Sequence, residues 1–101
     1  MMPEIGQIAE KVRSKNAGPF WVTIDIFCGN DAAFRRIAAG LPTATVAALF
    51  HTTPDAIKRF DIADLAVVKF SLPRPQIQGI AADRDMHGAG WGPLVAEIEI
   101  A

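Results

Sequence analysis

The chain has one cysteine, Cys28, and no surplus of either charge. It also has no apolar run near the roughly 18 residues that cross a bilayer. A single cysteine rules out an intramolecular disulfide and suits a reducing compartment. Ten Lys and Arg stand against eleven Asp and Glu, a formal net charge of −1, so no overall field draws in nucleic acid or an anionic membrane. Basic residues adjoin only in pairs such as Arg35-Arg36 and Lys58-Arg59, so neither nucleic acid nor membrane is expected as a partner. The first residues, Met-Met-Pro-Glu-Ile-Gly, lack the basic start and apolar stretch of a secretory signal, which makes a cytoplasmic protein the expectation. A Ser-His-Asp order, a glycine-rich phosphate loop and paired zinc ligands are also missing, so no reaction can be read from a motif.

What is present is a globular composition, 50% hydrophobic and 21% charged over 101 residues. That length fits one domain, residues 1–101, able to bury roughly two-thirds of its unfolded surface. Ile5, Ile8, Ala9 and Val12 recur at helical spacing, giving a short helix over 4–12 or, in so short a stretch, an irregular strand. Phe20, Val22, Ile24, Ile26 and Cys28 then alternate with Trp21, Thr23, Asp25 and Phe27, a strand with two distinct faces. Asn30 or Asp31 caps a helix through Ala32 to Ala39 with Phe34, Ile37 and Ala38 inward. Thr43 caps a second helix carrying Val46, Ala47, Leu49 and Phe50, and Thr53-Pro54-Asp55 forms a turn with Pro54 at a first helical position. Residues 57–61 and 65–72 read as strands, the latter setting Ala66, Val68, Phe70 and Leu72 against Leu65, Val67, Lys69 and Ser71. Pro73 and Pro75 end it. Residues 76–93 read as a long loop, and Leu94, Ala96, Ile98 and Ile100 as a closing strand. The expected fold is α+β: a four-stranded, mostly antiparallel sheet with helices on one face, nearest to the ferredoxin-like plan.

Three places suggest chemistry. The first is a polar loop from Arg13 to Pro19. Arg13 and Lys15 bring charge, Ser14 and Asn16 short hydrogen-bonding groups, and Gly18 close backbone approach, a set suited to a carboxylate or phosphate. The alternative is a solvated turn in which Ser14 and Asn16 bond their own backbone. The second is Asp83-Arg84-Asp85-Met86-His87-Gly88, where Asp83, Asp85 and His87 alternate as a divalent-metal set would. Both aspartates can equally pair Arg74 and Arg84, the spacing matches no metal motif, and no metal is assigned. The third is the strand face of Trp21, Thr23, Asp25 and Phe27. If the first and third strands are neighbours, Asp25 meets Lys69 on the face that the helices leave open, and aromatics around a charge pair read as a partner surface. Cys28 continues an apolar face and reads as a buried hydrophobe, and His51 as a favourable charge at a helix end.

The run Arg13-Ser14-Lys15-Asn16-Ala17-Gly18-Pro19-Phe20, with Thr23-Ile24-Asp25-Ile26, Lys69-Phe70-Ser71-Leu72-Pro73-Arg74-Pro75, Asp83-x-Asp85-x-His87-Gly88-Ala89 and Pro93-Leu94, resembles a small bacterial family of domains of unknown function. Such domains occur beside, or fused to, large proteins related to the acyclic-terpene-utilisation protein. The large proteins often end in a ferredoxin-like domain starting Arg-Ser-Gly-Asp-Lys-Gly; here Lys15-Asn16-Ala17 replaces Gly-Asp-Lys. The resemblance implies a stand-alone counterpart of that end domain working with a separate large chain. On this reading the chain is the small subunit of a two-component enzyme acting on an organic acid or acyl-CoA, through a hydratase- or lyase-like step. Arg13, Ser14, Lys15, Asn16 and Gly18, with Arg74 as a second anion contact, hold the substrate. Asp85 and His87 are the proton-transfer candidates, since an imidazole's ordinary pKa of about 6.5 suits that work. Trp21, Asp25, Phe27 and Lys69 form the interface. The rival is a non-catalytic module that stabilises the large partner, and a third reading is a self-sufficient homo-oligomer.

Overall fold

A computed structural model of the chain describes residues 2–18, 20–73 and 91–100. Four strands, β1 (Lys11–Asn16), β2 (Trp21–Phe27), β3 (Lys58–Ile62) and β4 (Val67–Pro73), form one sheet in the order β1-β2-β4-β3, with every neighbouring pair antiparallel. Helix α1 (Ile5–Ile8) precedes the sheet, α2 (Asp31–Gly40) and α3 (Thr43–Leu49) connect β2 to β3, and α4 (Trp91–Ala96) follows it. Read from β2 onward, with β1 placed last, the elements run β-α-β-β-α-β, the split ferredoxin-like arrangement. The α+β, ferredoxin-like expectation holds, with the edge strand β1 supplied from the start of the sequence.

Alternation decides which side of the sheet is buried. Val22, Ile24 and Ile26 of β2 and Val68, Phe70 and Leu72 of β4 are completely buried beneath Phe34 and Ile37 of α2, Val46 of α3 and Trp91 and Val95 of α4. Asn30 caps α2, its side chain accepting from the Ala33 N–H at 2.8 Å. Pro42 rather than Thr43 precedes α3, and Pro54 opens a 3-10 turn over Pro54–Ala56. At the C-terminal end of α2, Arg59 reaches across from β3. Its guanidinium donates to the Ala38 carbonyl at 2.9 Å and the Leu41 carbonyl at 2.5 Å, and its Nε pairs with Asp61 at 2.9 Å. A cation on the final carbonyls of a helix satisfies groups that have no partner within the helix and complements the dipole.

Four sequence expectations are corrected. The helix over 4–12 ends at Ile8, and Lys11 onward is β1. The Arg13–Pro19 loop is therefore mostly strand as far as Asn16, with Gly18 in the left-handed region beyond it (φ 81°). Its pattern of Lys, Arg and Lys around one valine is that of an edge strand, where charge discourages pairing with another chain. Phe20 lies outside the β2 face expected for it and is exposed. The closing strand is instead α4, because Trp91 and Val95, four apart, bury one helical face while Pro93 falls in the first turn, where its missing N–H costs nothing. Trp91 stacks on Phe50 with ring centroids 4.4 Å apart. Beyond α4 the chain pairs with its own beginning through a single bridge, Glu4 to Glu99.

Candidate functional site

Residues directly opposite each other on neighbouring strands share a face. The register therefore assembles the side of the sheet opposite the described helices from three cross-strand rows. The first is Lys11, Phe27, Val67 and Ile62; the second Arg13, Asp25, Lys69 and Phe60; the third Lys15, Thr23, Ser71 and Lys58. Among the described residues five cations thus share a face with one carboxylate, in a chain whose net charge is −1. Half of all Lys and Arg residues lie here. Their clustering is invisible as a run because a strand sends only alternate residues to one face.

A cavity of about 300 Å³ opens on this face, lined by Arg13, Ser14, Lys15, Asp25 and Phe27. Two polar atoms beside it are buried without a hydrogen-bond partner among the described residues: Asp25 Oδ1 and Thr23 Oγ1. Native structures leave few such atoms, and each costs about 1–3 kcal/mol when unpaired. Among the described residues no carboxylate lies within 4.0 Å of the Arg13, Lys15 or Lys69 charge, so these cations remain free for an anion. The aromatic walls are cationic as well, with Lys11 Nζ 4.9 Å from the Phe27 ring centre and Lys58 Nζ 5.4 Å from that of Trp21.

The two residue sets read separately from the sequence converge here. Arg13 and Lys15 from the substrate set, and Trp21, Asp25, Phe27 and Lys69 from the interface set, lie on one face, and the register places Asp25 directly opposite Lys69. Ser14 and Asn16 sit on the other side of β1. Ser14 borders the cavity, but its hydroxyl accepts a hydrogen bond from the Gly92 N–H at 2.6 Å, tying α4 to the strand. Gly18 supplies the hairpin's left-handed turn and does not line the cavity. Arg74, Asp83, Asp85 and His87 lie outside the described residues. Lys11, Lys58 and Phe60 were not read as site residues from the sequence; the period-two pattern Lys11-x-Arg13-x-Lys15 is the signal that would have found the first of them.

Among the described residues, Cys28 and His51 fall away from this face. Cys28 is buried, its thiol 3.7 Å from the Ile26 carbonyl. Burial pushes that thiol above its ordinary value of 9.0, a rise that a backbone hydrogen bond at Val68 opposes and the Asp61 charge reinforces. A raised thiol is a poor nucleophile near neutrality. His51 follows α3 in a left-handed conformation (φ 56°) and is exposed. Among the described residues no three His, Cys, Asp or Glu side chains gather as a metal site. Nor, among those residues, is any helix long and apolar enough to cross a membrane.

A family model described as a domain of unknown function (DUF4387) matches residues 5–97. No curated protein and no solved structure matches the chain.

Proposed function

The chain belongs to the DUF4387 family, and we propose that it is a small accessory subunit of a two-component cytoplasmic enzyme, holding the carboxylate of an organic acid or acyl thioester on its open sheet face. The observation that carries this reading is the cavity where Arg13 and Lys15, free of ion pairs among the described residues, meet the buried, unpartnered Asp25 oxygen. Guanidinium and ammonium groups bind carboxylates through charge-assisted hydrogen bonds, and partial burial strengthens them. The large partner of the acyclic-terpene-utilisation type, and the hydratase- or lyase-like step with His87 and Asp85 moving protons, come from the resemblance. The exposed rings of Trp21 and Phe60 on the same face support a covering chain, since large apolar groups gathered in one patch favour a partner.

That exposure also favours a second reading, a non-catalytic module that stabilises the large chain through this face. Co-expression of the two chains with a tag on one, followed by sizing of the eluate, tests both. A stoichiometric complex whose turnover of acyl substrates is lost in Lys15→Ala supports the subunit. A complex that tolerates Lys15→Ala but is disrupted by Trp21→Ala supports the module. Separate elution of the two chains removes the two-component reading.

A further inference from the structure

We infer that the cavity on this face is built for a short dicarboxylate with a hydrogen-bond donor between its two carboxylates, that is, a hydroxy- or amino-dicarboxylate. Arg13 and Lys15 take one carboxylate, Lys69 takes the other, and Asp25 accepts a hydrogen bond from the hydroxyl or ammonium between them. This rests on the organic-acid reading above and names the class of acid.

The argument starts from the row Arg13, Asp25, Lys69 across β1, β2 and β4. Neighbouring strands lie about 4.8 Å apart, so the two cations stem from backbone positions separated by roughly 10 Å with Asp25 midway. Arg13 lines the cavity, and Lys69, outside its lining, carries a side chain long enough to reach a ligand held over Asp25. A carboxylate only accepts hydrogen bonds. Asp25 lines the cavity, so a group that meets its carboxylate there must donate, and a ligand presenting only carboxylates would set anion against anion. Neither Arg13 nor Lys69 lies within 4.0 Å of Asp25 as an ion pair, so neither cation is used up by it. Five cations against one carboxylate leave the face able to absorb two negative charges. Phe27 gives the carbon chain an apolar wall, and a cavity of about 300 Å³ is at the small end of ligand sites, the size for a short diacid. A single-stranded nucleic acid fits less well, because its phosphates would pass over Asp25 and its bases would displace the ammonium groups seated on Phe27 and Trp21.

Titration calorimetry on the full chain separates the requirements. Succinate has two carboxylates and no donor, lactate a donor and one carboxylate, and malate and aspartate have both. Malate or aspartate is expected to bind at least about tenfold more tightly than either succinate or lactate. Lys69→Met should bring malate down to the level of lactate. Asp25→Val should erase the advantage of malate over succinate, with retained succinate binding showing that the variant folds. Malate no tighter than lactate, or no tighter than succinate, overturns the dicarboxylate assignment. Lactate binding that depends on Arg13 would in that case leave the organic-acid reading standing. Failure of all four acids to bind overturns both.

Discussion

Ser14 and Gly92 hold the last helix to the first strand: the Gly92 N–H donates to Ser14 Oγ at 2.6 Å. The two are 78 residues apart in sequence, so this contact closes the fold as well as a hydrogen bond. A Cβ at Gly92 would lie 3.2 Å from Ser14 Oγ and 3.3 Å from the Ser14 backbone nitrogen, and the second of these cannot rotate away. Gly92→Ala should therefore destabilise the chain by about 1–3 kcal/mol despite alanine's better helix propensity, because crowding against backbone outweighs a gain of about 1 kcal/mol. Ser14→Ala leaves the Gly92 N–H without its partner and should cost a similar amount. Urea unfolding of both variants checks this; an unchanged midpoint in both would mean α4 docks without the contact.

Arg59 should prove the costliest exposed-strand cation to replace. Its guanidinium joins the Ala38 and Leu41 carbonyls, the Thr43 hydroxyl at 3.3 Å and Asp61, and lies 5.3 Å from the Phe70 ring centre. A lysine cannot reproduce that fork. Arg59→Lys should lose about 1.5–3 kcal/mol, whereas Lys58→Arg next to it should stay within about 0.5 kcal/mol. Thermal unfolding of the pair makes the comparison, and equal melting temperatures would refute the capping role.

How far the sequence shows this architecture depends on how much each segment buries. β2 is legible because its buried and open faces differ sharply in hydrophobicity, and α2 because Asn30 marks its start. β4 is legible for the same reason as β2, and with both strands assigned the meeting of Asp25 and Lys69 follows. β1 is not, since an edge strand buries little and Val12 alone marks its inner face. α4 is obscured because Leu94, Ala96, Ile98 and Ile100 alternate like a strand, while the residues that anchor the helix are Trp91 and Val95. Missing β1 splits one site into two: Arg13 and Lys15 read as a loop, Asp25 and Phe27 as a partner face. Only the register shows that they share a cavity.

The buried thiol gives the fold an alkaline limit. Burial holds the Cys28 thiol above its ordinary value of 9.0, so the folded chain keeps a proton that the unfolded chain releases. Where the unfolded state binds fewer protons, stability falls as pH rises. The contribution is whole below about 9.0 and is lost as pH climbs through the higher folded value. Cys28→Ala should therefore unfold at a midpoint that falls less between about pH 8 and about pH 10.5 than the parent's, as read by denaturant titration. Parallel pH profiles for the two proteins would show that the thiol is not the group responsible.

The buried hydroxyl of Thr23 is a cost of the fold. Thr23 Oγ1 is buried without a partner among the described residues, and its row-mates Lys15 and Ser71 stand opposite it on either side. Valine has the same branched shape, suits a strand at least as well, and carries no hydroxyl to desolvate. Thr23→Val should raise the unfolding free energy of the free chain by about 1 kcal/mol, against the usual direction of point substitutions. The same change should leave malate binding as it is, because that hydroxyl has no accessible surface and does not line the cavity. Chemical denaturation and calorimetry on one preparation read both effects. A destabilised variant would show that the hydroxyl is already satisfied within the chain, and weakened malate binding would show that it reaches the ligand.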